Sequence, residues 1–363
     1  MRILLRILSS LLLLVVLFGL LAVVLGPFLV SPNPAPGVAD ASTVAAPESR
    51  FIQLPTGQDD TQTFHLFARP GPERPARPAQ PDQTQQPPGN ASTSPDTAPA
   101  FVLLHGFTFN LFTWNRLFDA FAQHGAVVAY DQLPYGLSAK PVPDAERGDP
   151  DLYSKAAALE QLFALLDTLE LERVILVGNS SGGTLALEAA LAQPERVAGL
   201  ILIAPWVYSQ RPILPDWLVE LPQMQRLSLA LARYLGSQSP LLDYSYADPT
   251  RIDEERRALT SAHRLLAGWD LAWGALLKRS LSDPVTIAER LDAITQPALV
   301  LTGDADQVVP VSDTAATAEA LANATLVTLP ACGHLPQEEC PAQVEAAVSA
   351  WLEARGLAPA PTR

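Results

Sequence analysis

Three residue types at three places in this chain could together break an acyl bond: a serine, an aspartate and a histidine, in that order. A serine hydroxyl is a poor nucleophile at neutral pH, so it needs a base, and the base needs a carboxylate to orient it. The serine is Ser180, inside the stretch Arg173 to Thr184, which reads RVILVGNSSGGT. The apolar run Val174 to Val177 followed by Gly178, Asn179, Ser180, Ser181, Gly182 and Gly183 predicts a strand, a sharp turn and a helix, the setting a nucleophile elbow needs. Glycines two before and two after Ser180 leave room for a strained turn that lifts the hydroxyl above the edge of a sheet. Ser181 fits worse, because Asn179 stands two before it, but its backbone N–H is placed to hold an oxyanion. Taken alone the stretch reads equally as an ordinary Gly/Ser turn or a phosphate-cradling loop. Asp304 and Asp306 follow one expected strand, and His334, within Ala331 to His334, follows the next. Both loops fall where the carboxyl edge of a sheet could reach Ser180.

Those loops need a scaffold, and the hydrophobic texture supplies one. Short apolar runs near Phe101 to Leu104, Val127 to Tyr130, Val174 to Val177, Leu200 to Ile203, Ala298 to Leu301 and Leu326 to Leu329 alternate with helical patterns. The helices are expected at Trp114 to Gln123, Ser154 to Leu169, Ser181 to Ala192, Asp313 to Leu321 and Pro341 to Glu353. This alternation predicts an α/β fold, a mostly parallel sheet with helices on both faces. Phe51 to Leu54 and Thr63 to Phe67 predict a hairpin before it. Between Pro205 and Ile294 only helical stretches occur, so residues 206–294 are expected to form a helical cap over the site. Its tryptophans, Trp206, Trp217, Trp269 and Trp273, read as core rather than as a substrate platform.

Before the sheet lie three segments of different texture. Residues 1–30 contain an almost wholly apolar stretch from Ile7 to Val30, long enough to cross a bilayer as a helix, with Arg2 and Arg6 before it and no acid until Asp40. The basic flank predicts a signal-anchor with a cytoplasmic amino terminus, a single pass through the cell membrane and an extracytoplasmic remainder. Secretion after cleavage near Ala41 is the alternative, although the apolar run is longer than a signal peptide uses. Residues 31–50 read as a Pro/Ala-rich linker, and residues 51–363 as the globular domain. Within it, 69–99 is rich in Pro, Gln, Ser and Thr and reads as a disordered insertion.

The chain has 363 residues with 34 prolines, and the prolines cluster in these segments. A formal charge of -14 disfavours a nucleic-acid partner. Two cysteines, Cys332 and Cys340, exclude a disulfide scaffold or a multi-cysteine metal site. Their spacing could close one disulfide in an oxidising compartment, which spacing alone does not establish. No histidine pair stands at metal spacing, and no metal or cofactor is expected. His65, His124 and His263 read as surface or cap residues.

From about Phe51 to Leu352 the chain resembles an α/β-hydrolase-fold enzyme of the lipase, esterase and C–C hydrolase branch. The resemblance rests on His105-Gly106-Phe107, on Asp131 to Ser138 (DQLPYGLS), on Gly178 to Gly183, on Gly303, Asp306 and Pro310, and on Gly333-His334 with Glu339 and Pro341 downstream. It implies a catalytic triad of Ser180, His334 and Asp306, with Asp304 as the fallback acid, and an oxyanion hole from the backbone N–H groups of Phe107 and Ser181. His105 would serve structurally. Leu133 and Pro134 depart from the family's usual Pro and Gly in that loop. Serine rather than aspartate at 180 disfavours dehalogenase and epoxide hydrolase chemistry. The expectation is a membrane-anchored serine esterase acting on apolar or lipid-like small molecules through an acyl-enzyme. A C–C bond hydrolase of the meta-cleavage-product type and a non-catalytic ligand-binding protein of the same fold are the alternatives.

Overall fold

The computed structural model describes residues 2–57, 60–71, 99–143, 151–209 and 211–357; the side chains of residues 2–12, Val15 and Gln238 are not among those described. Eight strands form one sheet: β1 (Arg50–Pro55), β2 (Thr61–Arg69), β3 (Ala100–Leu104), β4 (Val127–Tyr130), β5 (Val174–Asn179), β6 (Val197–Ile203), β7 (Ala298–Gly303) and β8 (Ala324–Leu329). Their spatial order is β1-β2-β4-β3-β5-β6-β7-β8. β1 and β2 form the antiparallel hairpin that their alternation predicts, β2 continues antiparallel onto β4, and every pairing from β4 to β8 is parallel. The six expected strands are all present, β6 and β8 beginning earlier than their apolar runs indicate.

The principal helices are α1 (Arg2–Leu25), α2 (Lys155–Thr168), α3 (Ser181–Ala192), α4 (Pro222–Gln238), α5 (Pro240–Ser245), α6 (Trp269–Ser280), α7 (Val311–Ala320) and α8 (Pro341–Ala354). Successive strand residues point to opposite faces. Val102 and Leu104 accordingly pack with Leu162 and Leu165 of α2 and Leu187 of α3. Phe101 and Leu103 turn the other way, onto Phe118 and Phe121 and onto Val348 and Trp351 of α8. Burial on both faces explains why Val174 to Val177 of β5 and the whole of β6 carry no polar alternation. The helix expected over Trp114 to Gln123 is instead a single turn, Leu111–Trp114, followed by Phe118–Ala122. Asn110 starts that turn by accepting from the Phe112 N–H at 3.2 Å. Chain order reverses at β3, between β4 and β5, so the crevice at the carboxyl ends of β3 and β5 is the place where a doubly wound sheet opens a site.

Between β6 and β7 the described chain holds helices and no strand, including α4, α5 and α6. Trp269 and Trp273 of α6 pack with His263 inside this layer, the histidine ring stacked on Trp273 at 4.2 Å. His263 is a cap residue, buried among those rings, whereas His65 departs from the surface-or-cap reading: it is buried in the sheet with its Nδ1 2.7 Å from Asp131 Oδ2 and its Nε2 2.8 Å from Ser49 Oγ.

The Pro/Ala-rich stretch after α1 is held rather than loose. Arg226 donates to the Val30 carbonyl at 2.9 Å, and Arg233 donates to those of Ser31 and Asn33 at 2.9 and 2.7 Å. The Ala35 N–H donates to Asp270 at 2.9 Å, and those of Val38 and Ala39 reach the Leu265 carbonyl. Gly37 lies so close to Ala267 that a Cβ would sit 2.5 Å from its nitrogen. Main-chain groups of the stretch, not its side chains, make most of these contacts, so composition carries no sign of them. Among the described residues, whose side chains in α1 begin only at Leu13, no helix is long and apolar enough to cross a membrane, so the expected span is not established by the fold. Of the expected insertion at 69–99, Arg69 instead ends β2, and residues 72–98 lie outside the described residues.

Candidate active site

β5 runs straight into the turn that carries Ser180. Its backbone has φ 53° and ψ −119°, a conformation a non-glycine residue adopts only where its surroundings enforce it. The enforcement is visible. The Ser180 N–H donates to the Ile203 carbonyl at 2.9 Å, and its own carbonyl accepts from Gly183 and Trp206 at 2.9 and 3.0 Å. The flanking glycines are required by close approach: a Cβ on Gly178 would meet the Gly182 carbonyl oxygen at 2.4 Å, and one on Gly182 would meet that of Leu104 at 2.2 Å. The start of α3 thereby sits directly on the end of β3. Ser181 opens α3, where first-turn N–H groups lack intrahelical acceptors, and no side chain caps that turn. Phe107 lies just past β3, and both residues line the same cavity as Ser180.

The histidine and acid loops meet as the spacing requires. His334 Nδ1 lies 2.8 Å from Asp306 Oδ2, with both side chains buried. Asp306 cannot swing freely, since its other oxygen accepts from the N–H groups of Val308 and Val309 at 2.8 and 2.9 Å. Asp304 is exposed and instead accepts from the Ala331 N–H at 2.7 Å, stitching one loop to the next. Of the two carboxylates only Asp306 touches the histidine. His105 is also accounted for. Its Nδ1 lies 2.8 Å from the Gly106 carbonyl, and its Nε2 accepts from the Gln132 N–H at 3.0 Å. These partners fix a neutral tautomer, and burial lowers its pKa further, against the pull of Asp131.

The loop at Asp131 to Ser138 keeps its shape despite Leu133 and Pro134, because Asp131 organises it. Its carboxylate accepts from the Leu111 and Leu137 N–H groups, both at 2.7 Å, and binds His65. Burial alone would raise this carboxyl, yet the His65 ring beside it holds its pKa below the usual range. Gly136 has φ 47°, and a Cβ there would collide with the Asp131 carboxylate.

Some positioning residues escaped the reading of the sequence. Asn179 is fully buried, and its Nδ2 donates to the carbonyls of Ile203 and His334, both at 3.1 Å, tying the serine turn to the histidine loop. Glu339 accepts from the N–H groups of Gly333, Ala247 and Asp248 at 2.8, 3.0 and 2.9 Å. With the His334 N–H donating to Ser245 at 2.7 Å, this fastens the histidine loop to the base of α5. Glu339 had a motif position to flag it. Asn179 had none beyond its place before the serine.

Cys332 and Cys340 form a disulfide that spans the histidine loop, with their Cα atoms 6.1 Å apart. Loop-closure entropy for so short a span amounts to about 2.5 kcal/mol. Cys332→Ser with Cys340→Ser is therefore expected to lower the thermal midpoint by several degrees, read by a melt with and without reductant. An unchanged midpoint in both would show that the bridge does not form.

The cavity above Ser180 has a volume of about 600 Å³. Ser180 and His334 share it with Phe107, Tyr135, Leu235 and Leu276, so its walls near the serine are largely apolar, and α4, α5 and α6 roof it as a cap. Of the four tryptophans between β6 and β7, Trp206 lines it while Trp269 and Trp273 are core and Trp217 is exposed. A polar corner also opens on the cavity. Lys155 pairs with Asp283 at 2.7 Å, and Arg211 donates to the Asp283 carbonyl while its buried Nε has no partner among the described residues. Burial lowers the Arg211 pKa from its ordinary value, against the pull of Asp283.

Comparison with known proteins agrees with this architecture. A dihydrolipoyllysine-residue acetyltransferase component of the acetoin cleaving system from Pseudomonas putida is 30% identical over 253 residues, covering 69% of this chain and 62% of that protein. The match thus spans less than two thirds of that relative's length. The 2-hydroxymuconate semialdehyde hydrolase of Pseudomonas sp. (strain CF600) is 28% identical over 246 residues, covering 66% of this chain and 80% of the relative. The structure of a thermophilic esterase from Thermogutta terrifontis superposes with a TM-score of 0.61 at 20% identity, covering 85% of this chain and all of that one, a likeness of fold alone. Residues 101–347 match the model of the Alpha/beta hydrolase family, and to that family the chain belongs.

Proposed function

We propose that this protein is a membrane-anchored serine hydrolase that cleaves carboxylic esters of apolar or lipid-like molecules. The observation that carries the reading is that His334, paired with the buried Asp306, shares one largely apolar cavity with a serine held at φ 53°. In this scheme the Ser180 oxygen bonds to the ester carbonyl carbon while its proton passes to His334 Nε2. Asp306 holds the proton on Nδ1, which keeps Nε2 available as the base. The backbone N–H groups of Phe107 and Ser181 stabilise the oxyanion as the tetrahedral centre forms. Collapse breaks the bond to the leaving alcohol, which takes the proton from Nε2. Water then repeats the sequence on the acyl-enzyme and regenerates Ser180.

The anchor belongs to the same proposal. The apolar stretch lies in a helix of 24 residues, about 36 Å at helical rise and longer than a bilayer core of about 30 Å. Its described side chains, from Leu13 to Leu25, are exposed. A helix of bare leucine, valine and phenylalanine is stable in lipid rather than in water. The Cys332–Cys340 disulfide supports a catalytic domain on the oxidising, extracytoplasmic side.

A second reading has its own support. Arg211 and Lys155 could receive a substrate carboxylate in the polar corner, as a C–C hydrolase acting on a vinylogous diketone acid would need, and one relative is a 2-hydroxymuconate semialdehyde hydrolase. An ester series of increasing acyl length, assayed on the full-length protein in detergent micelles, separates the two. The expected result is turnover of short to medium acyl esters and none of the diketone acid. The reverse pattern would move the assignment to C–C hydrolysis.

A further inference from the structure

The cap carries an apolar face that no part of the described chain covers. On α4, Leu227, Leu231 and Tyr234 recur at helical spacing along one side and are 48%, 47% and 56% exposed. Trp217 just before this helix is 70% exposed, and Tyr244 on α5 is 52% exposed. Single exposed apolar residues need no explanation, but a cluster with three large aromatic rings marks a surface with a partner. α4 itself has two arginines and no acidic residue in a chain whose formal charge is -14.

What that partner is follows from where α1 leaves the domain. The turn after α1, Gly26–Leu29, has Pro27 buried. Val30 and Ser31 are then fixed to Arg226 and Arg233, residues of α4 itself. Arg233 is braced by Asp270 at 2.9 Å, whose carboxylate is fully buried. Five residues from Leu25 to Val30 can span at most about 17 Å even when fully extended. If α1 ends at a bilayer surface, α4 cannot stand far beyond the headgroups, whose layer is itself several ångströms deep. The apolar face is also continuous with the active-site cavity, since Leu231 and Tyr244 both line it.

We infer that the exposed side of α4, with Trp217 and Tyr244 beside it, rests on the lipid bilayer that holds α1, and that lipophilic esters enter the cavity from the lipid past Leu231 and Tyr244. This rests on the anchor proposed above and adds an orientation to it. Trp217 acts as an interfacial anchor, its apolar ring in the lipid and its N–H among the headgroups. The strap from Val30 to Ala39 transmits the fixed position of α1 to the cap, so the mouth of the cavity faces the membrane rather than turning freely above it.

The test uses the full-length protein reconstituted into vesicles of phosphatidylcholine and phosphatidylglycerol. Brominated phosphatidylcholine is expected to quench the tryptophan fluorescence, and Trp217→Phe is expected to remove most of that quenching, because Trp114, Trp269, Trp273 and Trp351 are buried and Trp206 faces the cavity rather than the outer surface of the cap. Trp217→Glu with Leu227→Glu changes two residues that do not line the cavity. This variant is expected to hydrolyse a water-soluble short acyl ester at the wild-type rate while turning over a long-chain ester dissolved in the vesicles about tenfold or more slowly. A carbonate wash separates the two claims. Release of wild-type protein by carbonate would refute the anchor. Retention in the membrane with no quenching through Trp217, or with the vesicle-borne ester processed equally by the Glu variant, would overturn the orientation while leaving the anchor standing. Burial of the face in a second copy of the chain is one form of that second outcome, seen as a dimer in micelles that Leu227→Glu dissociates. If the Glu variant fails to fold, shown by loss of activity on the soluble ester, the quenching comparison with Trp217→Phe still decides.

Discussion

Ser180→Ala is expected to lower the ester hydrolysis rate by on the order of a million-fold, the loss seen when a triad nucleophile is deleted while binding and oxyanion stabilisation remain. The fold should survive the change. The strain at φ 53° is imposed by the backbone bonds to Ile203, Gly183 and Trp206, which alanine retains, and the serine side chain makes no bond on which the turn depends. Labelling by a serine-directed fluorophosphonate should vanish in the same variant. Equal labelling of both proteins would mean that another nucleophile reacts, and no labelling of either would favour a protein that binds a ligand without turning it over.

Asp306→Asn is the second large effect, about ten-thousand-fold in kcat with little change in stability. The asparagine carbonyl oxygen can still accept from Val308 and Val309, so the loop keeps its shape. Its amide group, however, would face His334 Nδ1 as a donor. The imidazole would respond by placing its proton on Nε2, and the base would be lost. Asp304→Asn is the matched control. Its oxygen serves only the Ala331 N–H, a role asparagine can take over, so kcat should stay within about twofold, consistent with a surface substitution. Equal losses in the two variants would return the choice of acid to an open question.

These two aspartates also show where sequence reading was strong and where it stopped. Motif register favoured Asp306 over Asp304, and it is Asp306 that contacts the histidine: Gly303 ends β7, and three residues later the loop has turned far enough for a carboxylate to reach His334. The sheet was legible for a similar reason. Strands buried on both faces must be apolar throughout, and the helices between them must carry a one-sided pattern, so each element announces itself within its own few residues. Asn179 and Glu339 act across long gaps in the chain, bonding to His334 and to the base of the cap, and no local periodicity encodes such a contact. The surface reading of His65 failed in the same way, since nothing near it in sequence reveals the buried Asp131 to which it is paired.

The residues at the amino terminus divide along the same line. Composition alone marked a long apolar helix and a proline-rich stretch after it, because both are properties of consecutive residues. It could not show that this stretch is strapped to α4 and α6 through main-chain groups, carbonyls toward α4 and the Ala35 N–H toward α6, which composition does not distinguish. What the sequence by itself determined is therefore the sheet, the serine turn and the candidate acid and base, all set by local pattern or fixed spacing. What only the tertiary structure decided is which carboxylate meets the histidine, that Cys332 and Cys340 are close enough to bond, and that the cap lies over the cavity with its apolar face beside the root of α1. Those are matters of distance between segments far apart in the chain, and distance is set by packing.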